Sequence, residues 1–471
     1  MRPIYQTQRL VDMVASQRIA RKAALSERLP RKQLEALQQQ GLERLVHHAA
    51  SHSPWHRAKL ASLLSAGKPI SLASLPRMDK QSMMANFDKA VCDPRLTLTT
   101  LAQHTADLSR DELLAGEFRI LTTSGTSGIK AYFCFDRRAW RANMSLLTRC
   151  ASAVGITPRF PRWKIAQLTA GGPLHATYRL ASSVDFGVHR TLLLKVADPV
   201  SSLVASLQRF RPDAISGYPS VLAMLADEQL AGRLNIAPRC CLATAEQCTA
   251  SMRERIQLAW GSPLFDVYAT TETGGPLAFE CCAHNGMHIF EERVLLEVVD
   301  FNGRPVPNGT RGHHLLLTVL DNLIQPIIRY KLDDMLTVDA TPCSCGRTTR
   351  RIISIEGRTG DILYFKSSDG TVIPIHPSSL LEHIGELPWV RQWQVVTRSG
   401  EMEITIVAHA GADAPTEAII KSLEHTIHDA GAEPPKICVS LVDTIPRSQG
   451  GKHTLVRKEG NLDDHLCPTR N

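Results

Sequence analysis

The sequence predicts an α/β protein with a large N-terminal body and a small α+β domain near its C-terminus. Its 471 residues are too many for one simple core, so we expect two or three domains. From about residue 90, short apolar runs alternate with helical patterns, as at 163–168 and 191–196, which favours an α/β body with buried strands. Beyond about residue 359, three strand patterns surround a helical stretch at 416–430, which indicates the small domain.

The first 90 residues are predicted to be a helical lead-in to the large body. Apolar residues recur there at helical spacing, and Ser53-Pro54 ends the run. The residues that set this spacing are Leu34, Leu37, Leu42, Leu45 and Val46.

Composition narrows the class of protein. Hydrophobic residues are 43% of the chain without a run of eighteen, so no membrane partner is expected. The first residues lack an apolar signal core, and twelve cysteines then indicate reduced thiols or a metal site in the cytoplasm. The net charge is +8, but acidic residues are interleaved with the basic ones, so no nucleic-acid partner is predicted.

The stretch 122–130, Thr-Thr-Ser-Gly-Thr-Ser-Gly-Ile-Lys, combines glycines, hydroxyls and one cation. Such a loop can hold phosphate, because glycine lets the backbone approach an anion while hydroxyls and lysine supply donors and charge. Its spacing does not fit the P-loop of nucleoside triphosphatases. A polar surface turn has a similar composition, so the loop alone leaves both interpretations open.

Several strand patterns end in polar or aromatic turns. Gly217 and Tyr218 follow the strand pattern at 214–215, and the carboxyl ends of strands in α/β sheets are where ligands bind. We therefore expect Gly217 and Tyr218 to line a pocket, with His175 from a second glycine turn and Phe133 in a flat apolar slot. The alternatives are a tyrosine packed at a helix start, a histidine bonded within its turn and a core phenylalanine.

A further strand pattern opens into Tyr268-Ala-Thr-Thr271-Glu272. Hard cations such as Mg²⁺ take oxygen ligands and bridge a carboxylate to phosphate, so Glu272 is a candidate magnesium ligand. An ordinary polar loop after a buried strand is the alternative.

Two short clusters, at 281–288 and 343–345, bring together four cysteines and two histidines. Thiolates with imidazole suit tetrahedral Zn²⁺, although Cys-x-Cys is tighter than the usual zinc-finger spacing. Reduced buried cysteines are the alternative.

Five motifs in one fixed order resemble those of the adenylate-forming superfamily, the acyl- and aryl-CoA synthetases. The loop at 124–130 is similar to its phosphate loop, with Ile129 at the usual proline position. Residues 268–272 are similar to its Tyr-Gly-x-Thr/Ser-Glu motif, and Thr244-Ala245-Glu246 is a short further match. Residues 326–335, 356–361 and 445–452 resemble Pro-Val-Ile-Arg-Tyr-Arg-Thr-x-Asp, Gly-Arg-x-Asp-Asp and Pro-Arg-Thr-x-x-Gly-Lys. The first of these three is specific for the phenylacetate-CoA-ligase-like branch.

The resemblance implies a role for each matching residue. It assigns ATP binding to Thr123, Ser124, Gly125, Thr126, Ser127, Gly128, Lys130, Glu246, Tyr268, Asp334 and Arg358, with Tyr268 and Glu246 near the adenine and Asp334 on the ribose. Thr271 would hold the α-phosphate, Glu272 would ligate Mg²⁺ and Lys452 would be the catalytic lysine. It also strengthens the zinc interpretation, with Cys281, His288, Cys343 and Cys345 as ligands and Cys282 and His284 as substitutes.

The resemblance further implies an adenylation domain at 1–357, a mobile lid domain at 358–458 and a polar tail at 459–471. The implied reaction is ATP-dependent activation of a carboxylic acid, here an aryl acid, to an acyl-adenylate and its transfer to CoA as a thioester. Transfer to a carrier protein or an amine is an alternative, as is a nucleotide-binding pseudoenzyme, which the departures at Ile129 and Gly360 favour. The oligomeric state is left open, with a homodimer as one alternative.

Overall fold

The computed structural model describes residues 3–67, 69–123, 129–184, 187–375, 377, 384, 387, 389–398, 400–409, 411–447 and 452–459. The predicted phosphate-loop residues Ser124, Gly125, Thr126, Ser127 and Gly128 lie outside these ranges.

The helices of the described residues fall into an N-terminal group and a group that alternates with strands. They are α1 (Pro3–Ser26), α2 (Arg31–His52), α3 (Pro54–Ser65), α4 (Lys80–Ala85), α5 (Phe87–Ala90), α6 (Leu98–Ala106), α7 (Arg137–Ala153), α8 (Ala176–Ser183), α9 (Val200–Phe210), α10 (Pro219–Leu230), α11 (Ala250–Trp260) and α12 (Thr416–Asp429). The predicted stop at Ser53-Pro54 is a junction between two helices. Ser53 caps α3 by accepting the backbone N–H of His56, and Pro54 occupies the first turn, where no N–H is needed.

The strands begin after the N-terminal helices. They are β1 (Arg119–Thr123), β2 (Ala131–Phe135), β3 (Lys164–Thr169), β4 (Arg190–Lys195), β5 (Ala214–Gly217), β6 (Cys240–Thr244), β7 (Leu264–Thr270), β8 (Gly275–Glu280), β9 (Met287–Ile289), β10 (Val294–Val299), β11 (His314–Val319), β12 (Tyr330–Leu332), β13 (Asp334–Asp339), β14 (Arg351–Arg358), β15 (Leu363–Lys366), β16 (Val372–Ile375), β17 (Val390–Arg398), β18 (Glu401–Ala408), β19 (Lys436–Leu441) and β20 (Val456–Lys458).

A nine-stranded sheet organises the large body. Its strand order is β13-β14-β9-β8-β7-β6-β5-β3-β4. Neighbours from β4 to β7 are parallel, whereas β8, β9, β14 and β13 continue the sheet in antiparallel pairs. The carboxyl ends of the parallel strands therefore share one edge, and the turns that follow β3, β5, β6 and β7 carry His175, Tyr218, Glu246 and Glu272 there.

A smaller body follows β14 and has a core of its own. Its four-stranded sheet, in the order β19-β18-β17-β20, packs against α12 through Ile404, Leu423 and Ile427. The predicted α/β body followed by a small α+β body is thus confirmed. The exact domain boundary between residues 357 and 358 stays a prediction.

Two further findings concern the surroundings of the chain. Over the ranges that the structure describes, no helix is both long and apolar enough to cross a bilayer. The cysteines within those ranges are all free of disulfide bonds.

Candidate functional site

The turn after β7 is held rigidly by two threonines and a glycine. The Thr273 hydroxyl donates to the carbonyl oxygen of Gly275 at 2.7 Å and lies 3.2 Å from the Thr270 hydroxyl. Gly274 adopts φ +71°, and a Cβ there would come within 2.4 Å of Asn143 Nδ2, so only glycine fits. The turn therefore presents Thr271 and Glu272 in one fixed geometry.

Glu272 lies among groups of both signs. Burial raises the pKa of its carboxyl group, the nearby Asp334 carboxylate raises it further, and the Arg358 guanidinium opposes the shift. Lys80, at the start of α4, also faces Glu272, and burial lowers the pKa of its ammonium group. Nothing in the sequence pattern around Lys80 singled it out. Two carboxylates facing one another would be stabilised by a cation between them.

Asp334, Arg358 and Tyr268 lie beside this turn. Asp334 and Arg358 are partners in the antiparallel pair of β13 and β14, with Arg358 Nε 3.4 Å from Asp334 Oδ1. Burial and then the Asp334 carboxylate raise the pKa of the Tyr268 hydroxyl. Three residues predicted to contact the nucleoside thus meet at one end of the sheet, although they are as many as 90 positions apart in the chain.

Lys452 reaches the same place from the small body. Burial lowers the pKa of its ammonium group, the Arg358 charge lowers it further, and the carboxylates of Glu246, Asp334 and Glu272 oppose the shift. Its charge also lowers the pKa of His175, after burial, so the histidine faces the lysine. Residues from both bodies are therefore brought together.

Glu246 is occupied by protein contacts. Its carboxylate accepts the Ser220 hydroxyl at 2.6 Å and the backbone N–H of His453 at 2.5 Å. Arg447 lies 3.7 Å away. The predicted place of Glu246 near the adenine stays a prediction.

The two ends of the predicted phosphate loop are described. Thr123 ends β1, and its buried hydroxyl has no hydrogen-bond partner among the described residues. The Lys130 ammonium lies 5.1 Å from the centre of the Tyr132 ring. A buried hydroxyl without a partner among the described residues, at the loop entrance, suits a phosphate ligand, whose oxygen would accept a hydrogen bond from it.

Arg329, within the motif at 326–335, has a structural role. It adopts φ +47° and makes two 2.9 Å hydrogen bonds to Glu297, with a third at 2.8 Å to the Leu75 carbonyl oxygen. These bonds tie the segment before β12 to β10 and to the connection between α3 and α4. The following residue, Tyr330, is buried beside Glu272.

The aromatic residues of the predicted substrate slot are buried. Phe133 is 1% exposed and packs edge-on against Tyr330 in the main core, and Tyr218 is 2% exposed. A Cβ on Gly217 would come within 2.7 Å of Leu168, so Gly217 permits close packing of neighbouring strands. Phe133 and Tyr218 thus pack in cores, Tyr218 also lies near Glu246 and Arg447, and His175 faces Lys452. Their contact with a substrate stays a prediction.

Cys281, His288, Cys343 and Cys345 come together in a compact cluster. Their ligand atoms all lie within 4.8 Å of one another. The Cys281 and Cys343 sulfurs are 3.7 Å apart, and Cys345 Sγ is 3.3 Å from His288 Nε2. Zn–S bonds of about 2.3 Å in a tetrahedron would place two sulfurs roughly 3.8 Å apart, so the donor set fits zinc.

Neighbouring groups support this cluster and were not predicted. The other ring nitrogen of His288 lies 3.1 Å from the Thr349 hydroxyl, which leaves Nε2 facing the sulfurs. Arg347 donates to Cys345 Sγ at 3.5 Å and to Glu27, at the end of α1, at 2.6 Å. The suggested substitutes are elsewhere: Cys282 is exposed, and His284 stacks on Phe265 and bonds to Glu280.

Curated relatives match most of the chain. It is 27% identical over 468 residues to the phenylacetate-coenzyme A ligase of Thermus thermophilus, covering 90% of this chain and 96% of that protein. It is 28% identical over 377 residues to the phenylacetate-coenzyme A ligase of Escherichia coli, covering 75% and 76% of the two chains. No protein-family model matches.

Solved structures share the fold. A 2-hydroxyisobutyryl-CoA ligase in its postadenylation state aligns with a TM-score of 0.72 at 20% identity, covering 92% of this chain and 91% of that one. The same enzyme in its thioesterification state aligns with a TM-score of 0.60 at 21% identity, covering 92% of each chain. In sequence the chain is therefore similar to phenylacetate-coenzyme A ligases, and it shares the fold of a CoA ligase.

Proposed function

We propose that the protein activates a carboxylic acid with ATP and transfers the acyl group to CoA. In the first step a carboxylate oxygen attacks the α-phosphorus of ATP, and the bond to pyrophosphate breaks to leave an acyl-adenylate. In the second step the CoA thiolate attacks the acyl carbonyl carbon, and AMP departs. The names of the curated relatives support CoA as the acceptor, and an aryl acid as the substrate.

One observation carries this proposal: the Lys452 ammonium group of the small body, although exposed, is close enough to Arg358, Glu246, Asp334 and Glu272 of the large body for their charges to shift its pKa. An ammonium group is useful there, because negative charge develops on the carboxylate and α-phosphate oxygens as pyrophosphate leaves. A preorganised cation in a site from which water is excluded stabilises that charge by several kcal/mol.

The other residues bind and orient ATP in this proposal. Thr123 and Lys130 flank the loop that would hold the phosphates. Asp334 accepts the ribose hydroxyls, Arg358 contacts ribose or phosphate, and the Tyr268 ring lies against the adenine. Thr271 donates to the α-phosphate from its fixed turn.

Glu272 is the proposed ligand of a magnesium ion that accompanies ATP. One carboxylate fits Mg²⁺, which keeps several waters and takes its remaining ligands from phosphate. The ion would neutralise phosphate charge. Glu272 itself must be ionised to hold it, which its buried position opposes.

Two further parts of the proposal concern the rest of the chain. The small body, from residue 358, would rotate between the two steps so that the CoA thiol replaces Lys452 at the adenylate. The cluster of Cys281, His288, Cys343 and Cys345 would hold one structural Zn²⁺, since three sulfurs and a nitrogen leave no open position for catalysis. Reduced cysteines are consistent with a cytoplasmic location.

The test is acid-dependent release of pyrophosphate from ATP, measured over aryl, acyl and amino acids with and without CoA. We expect release with a few aryl acids, and a thioester only when CoA is added. Release without a CoA thioester would replace CoA with a carrier protein or an amine as the acceptor. If no acid supports release while ATP still binds, the proposal is wrong and a nucleotide-binding pseudoenzyme takes its place.

A further inference from the structure

Glu246 connects the two bodies next to the proposed catalytic lysine. Its side chain is 8% exposed. One carboxylate oxygen accepts the Ser220 hydroxyl at 2.6 Å within the large body. The other accepts the His453 backbone N–H at 2.5 Å and lies 3.7 Å from Arg447 of the small body. Both oxygens are therefore engaged by protein groups.

The bond to His453 acts directly on Lys452. The N–H of His453 belongs to the peptide unit that it shares with Lys452, and that unit is planar. Fixing this N–H therefore fixes the backbone from which the lysine side chain extends. On the small-body side, His453 Nε2 lies 2.9 Å from the carbonyl oxygen of Trp393, so the same residue is also held to β17.

The backbone around Glu246 directs its side chain toward the small body. Ala245 adopts φ +73°, a left-handed conformation that is rare for alanine and that persists only where its surroundings impose it. On its N-terminal side the Thr244 hydroxyl donates to the Val267 carbonyl oxygen at 3.1 Å, and on the other side Gln247 donates to Ile355 at 2.7 Å. The turn thus aims Glu246 away from β6 toward the small body.

We propose that Glu246 is a positioning residue for the first half-reaction: it holds the Lys452–His453 peptide so that the lysine faces the reacting phosphate. This inference rests on the proposed function. The same bonds must break when the small body rotates, so Glu246 favours adenylate formation and opposes the second step. Its neighbours in the large body, Ser220 and the strained Ala245, keep the carboxylate in place while the small body leaves.

A second contact between the bodies provides a matched control. Asp227 and Glu228, in α10, lie 3.5 Å and 3.9 Å from Arg391 of β17. Arg255 also donates to the Arg391 carbonyl oxygen at 3.4 Å. This contact attaches the small body without touching the Lys452 segment. Glu228 also pairs with Arg233 at 2.6 Å, so Glu228→Gln weakens docking and this local ion pair but leaves the Lys452 segment untouched.

The experiment measures the two half-reactions separately in the full-length protein. For Glu246→Ala we expect kcat for pyrophosphate formation to fall about tenfold to a hundredfold, as for a misplaced catalytic group, with KM for ATP within threefold. Thioester formation from added acyl-adenylate and CoA should be unchanged or faster. Glu246→Gln keeps an oxygen that can accept the His453 N–H, so its loss should be intermediate, and Glu228→Gln should lose less than twofold.

Three outcomes would overturn the inference. If Glu246→Ala slowed both half-reactions equally, or if Glu228→Gln and Glu246→Ala slowed pyrophosphate formation equally, Glu246 would act through general docking or folding. A raised KM for ATP with unchanged kcat would return Glu246 to the edge of adenine.

A second measurement does not depend on turnover. Amide hydrogen exchange of the 452–459 peptide should be faster in Glu246→Ala and unchanged in Glu228→Gln. If the wild-type protein releases no pyrophosphate with any acid, the proposed function fails. Unchanged exchange in Glu246→Ala would instead refute the proposal that Glu246 holds the Lys452–His453 peptide.

Discussion

The site around Lys452 and the cluster around Cys281 differ in how their parts are supported. The cluster comes from two short segments of the large body, and its four ligand atoms lie within 4.8 Å of one another. The site at Lys452 draws on turns after several strands and on the small body, and it brings together charged groups of both signs. The donor atoms of the cluster are already together. In our proposal, by contrast, the site at Lys452 is completed by ATP and by rotation of the small body.

The largest expected effect is that of replacing Lys452 in the small body. Lys452→Ala should lower pyrophosphate formation by at least about a hundredfold, because it removes a preorganised charge at the reacting phosphate. ATP binding, measured by calorimetry, should change little. Lys421→Ala, which alters an exposed lysine of α12, is the control and should retain activity. Turnover that survives in Lys452→Ala would remove the lysine from the mechanism.

A substitution in the Cys281 cluster should instead change the metal content and the stability of the protein. Cys343→Ser should lower the zinc content of purified protein from about one ion per chain to well below it, and should lower the free energy of unfolding by about 3 kcal/mol or more. Metal analysis and thermal unfolding measure these changes. Cys282→Ser is the control, because Cys282 is exposed and is not one of the four residues of the cluster. Wild-type protein that is stable without metal would contradict the zinc assignment.

A third test uses pH to separate the two regions. The pKa of Glu272 is raised by burial, so its carboxylate is lost on acidification at a pH above the ordinary value of 4.5. The pKa of Lys452 is lowered by burial, so its charge is lost on alkalisation at a pH below 10.5. We therefore expect both limbs of the kcat/KM profile to move toward neutrality. Limbs at the ordinary values would mean that these groups are solvated in the free enzyme.

The smallest effect concerns Phe133. Since its ring is buried in the core, Phe133→Leu should lower the free energy of unfolding by about 1 to 2 kcal/mol. The ratio of kcat/KM between two aryl acids should stay within twofold. Leu37→Ala, at a half-exposed position on α2, is the stability control. A large change in acid preference would restore the predicted slot.

Local patterns predicted the elements of the fold well, because each depends on nearby residues. Alternating apolar runs anticipated β3, β4 and β17, and the turn after β7 was found from its own polar residues. Cys281 and Cys343 were also predicted as partners although 62 positions separate them. That prediction came from the metal-binding chemistry of thiolates and from the family resemblance, because spacing along the chain does not reveal a contact between distant residues.

The parts that sequence reasoning missed depend on contacts between distant segments. Glu246 was matched to a motif, but its partner His453 lies 207 positions away and is a backbone N–H, which no residue type reveals. Lys80 sits on a short helix whose pattern carries no sign of the site. Sequence alone left two interpretations of Phe133 open, because a strand of aromatic residues looks the same whether it lines a slot or a core.

The buried Glu27 at the end of α1 has a consequence for synthesis of the chain on the ribosome. Its carboxylate is bonded by Arg149 and by Arg347, which is made 320 residues later. At about 5 to 20 residues per second, some 16 to 64 s separate the two ends of this bond. Until Arg347 is synthesised, the Glu27 carboxylate lacks one of its two arginine partners. We therefore expect the final docking of α1 to be among the last events of cotranslational folding.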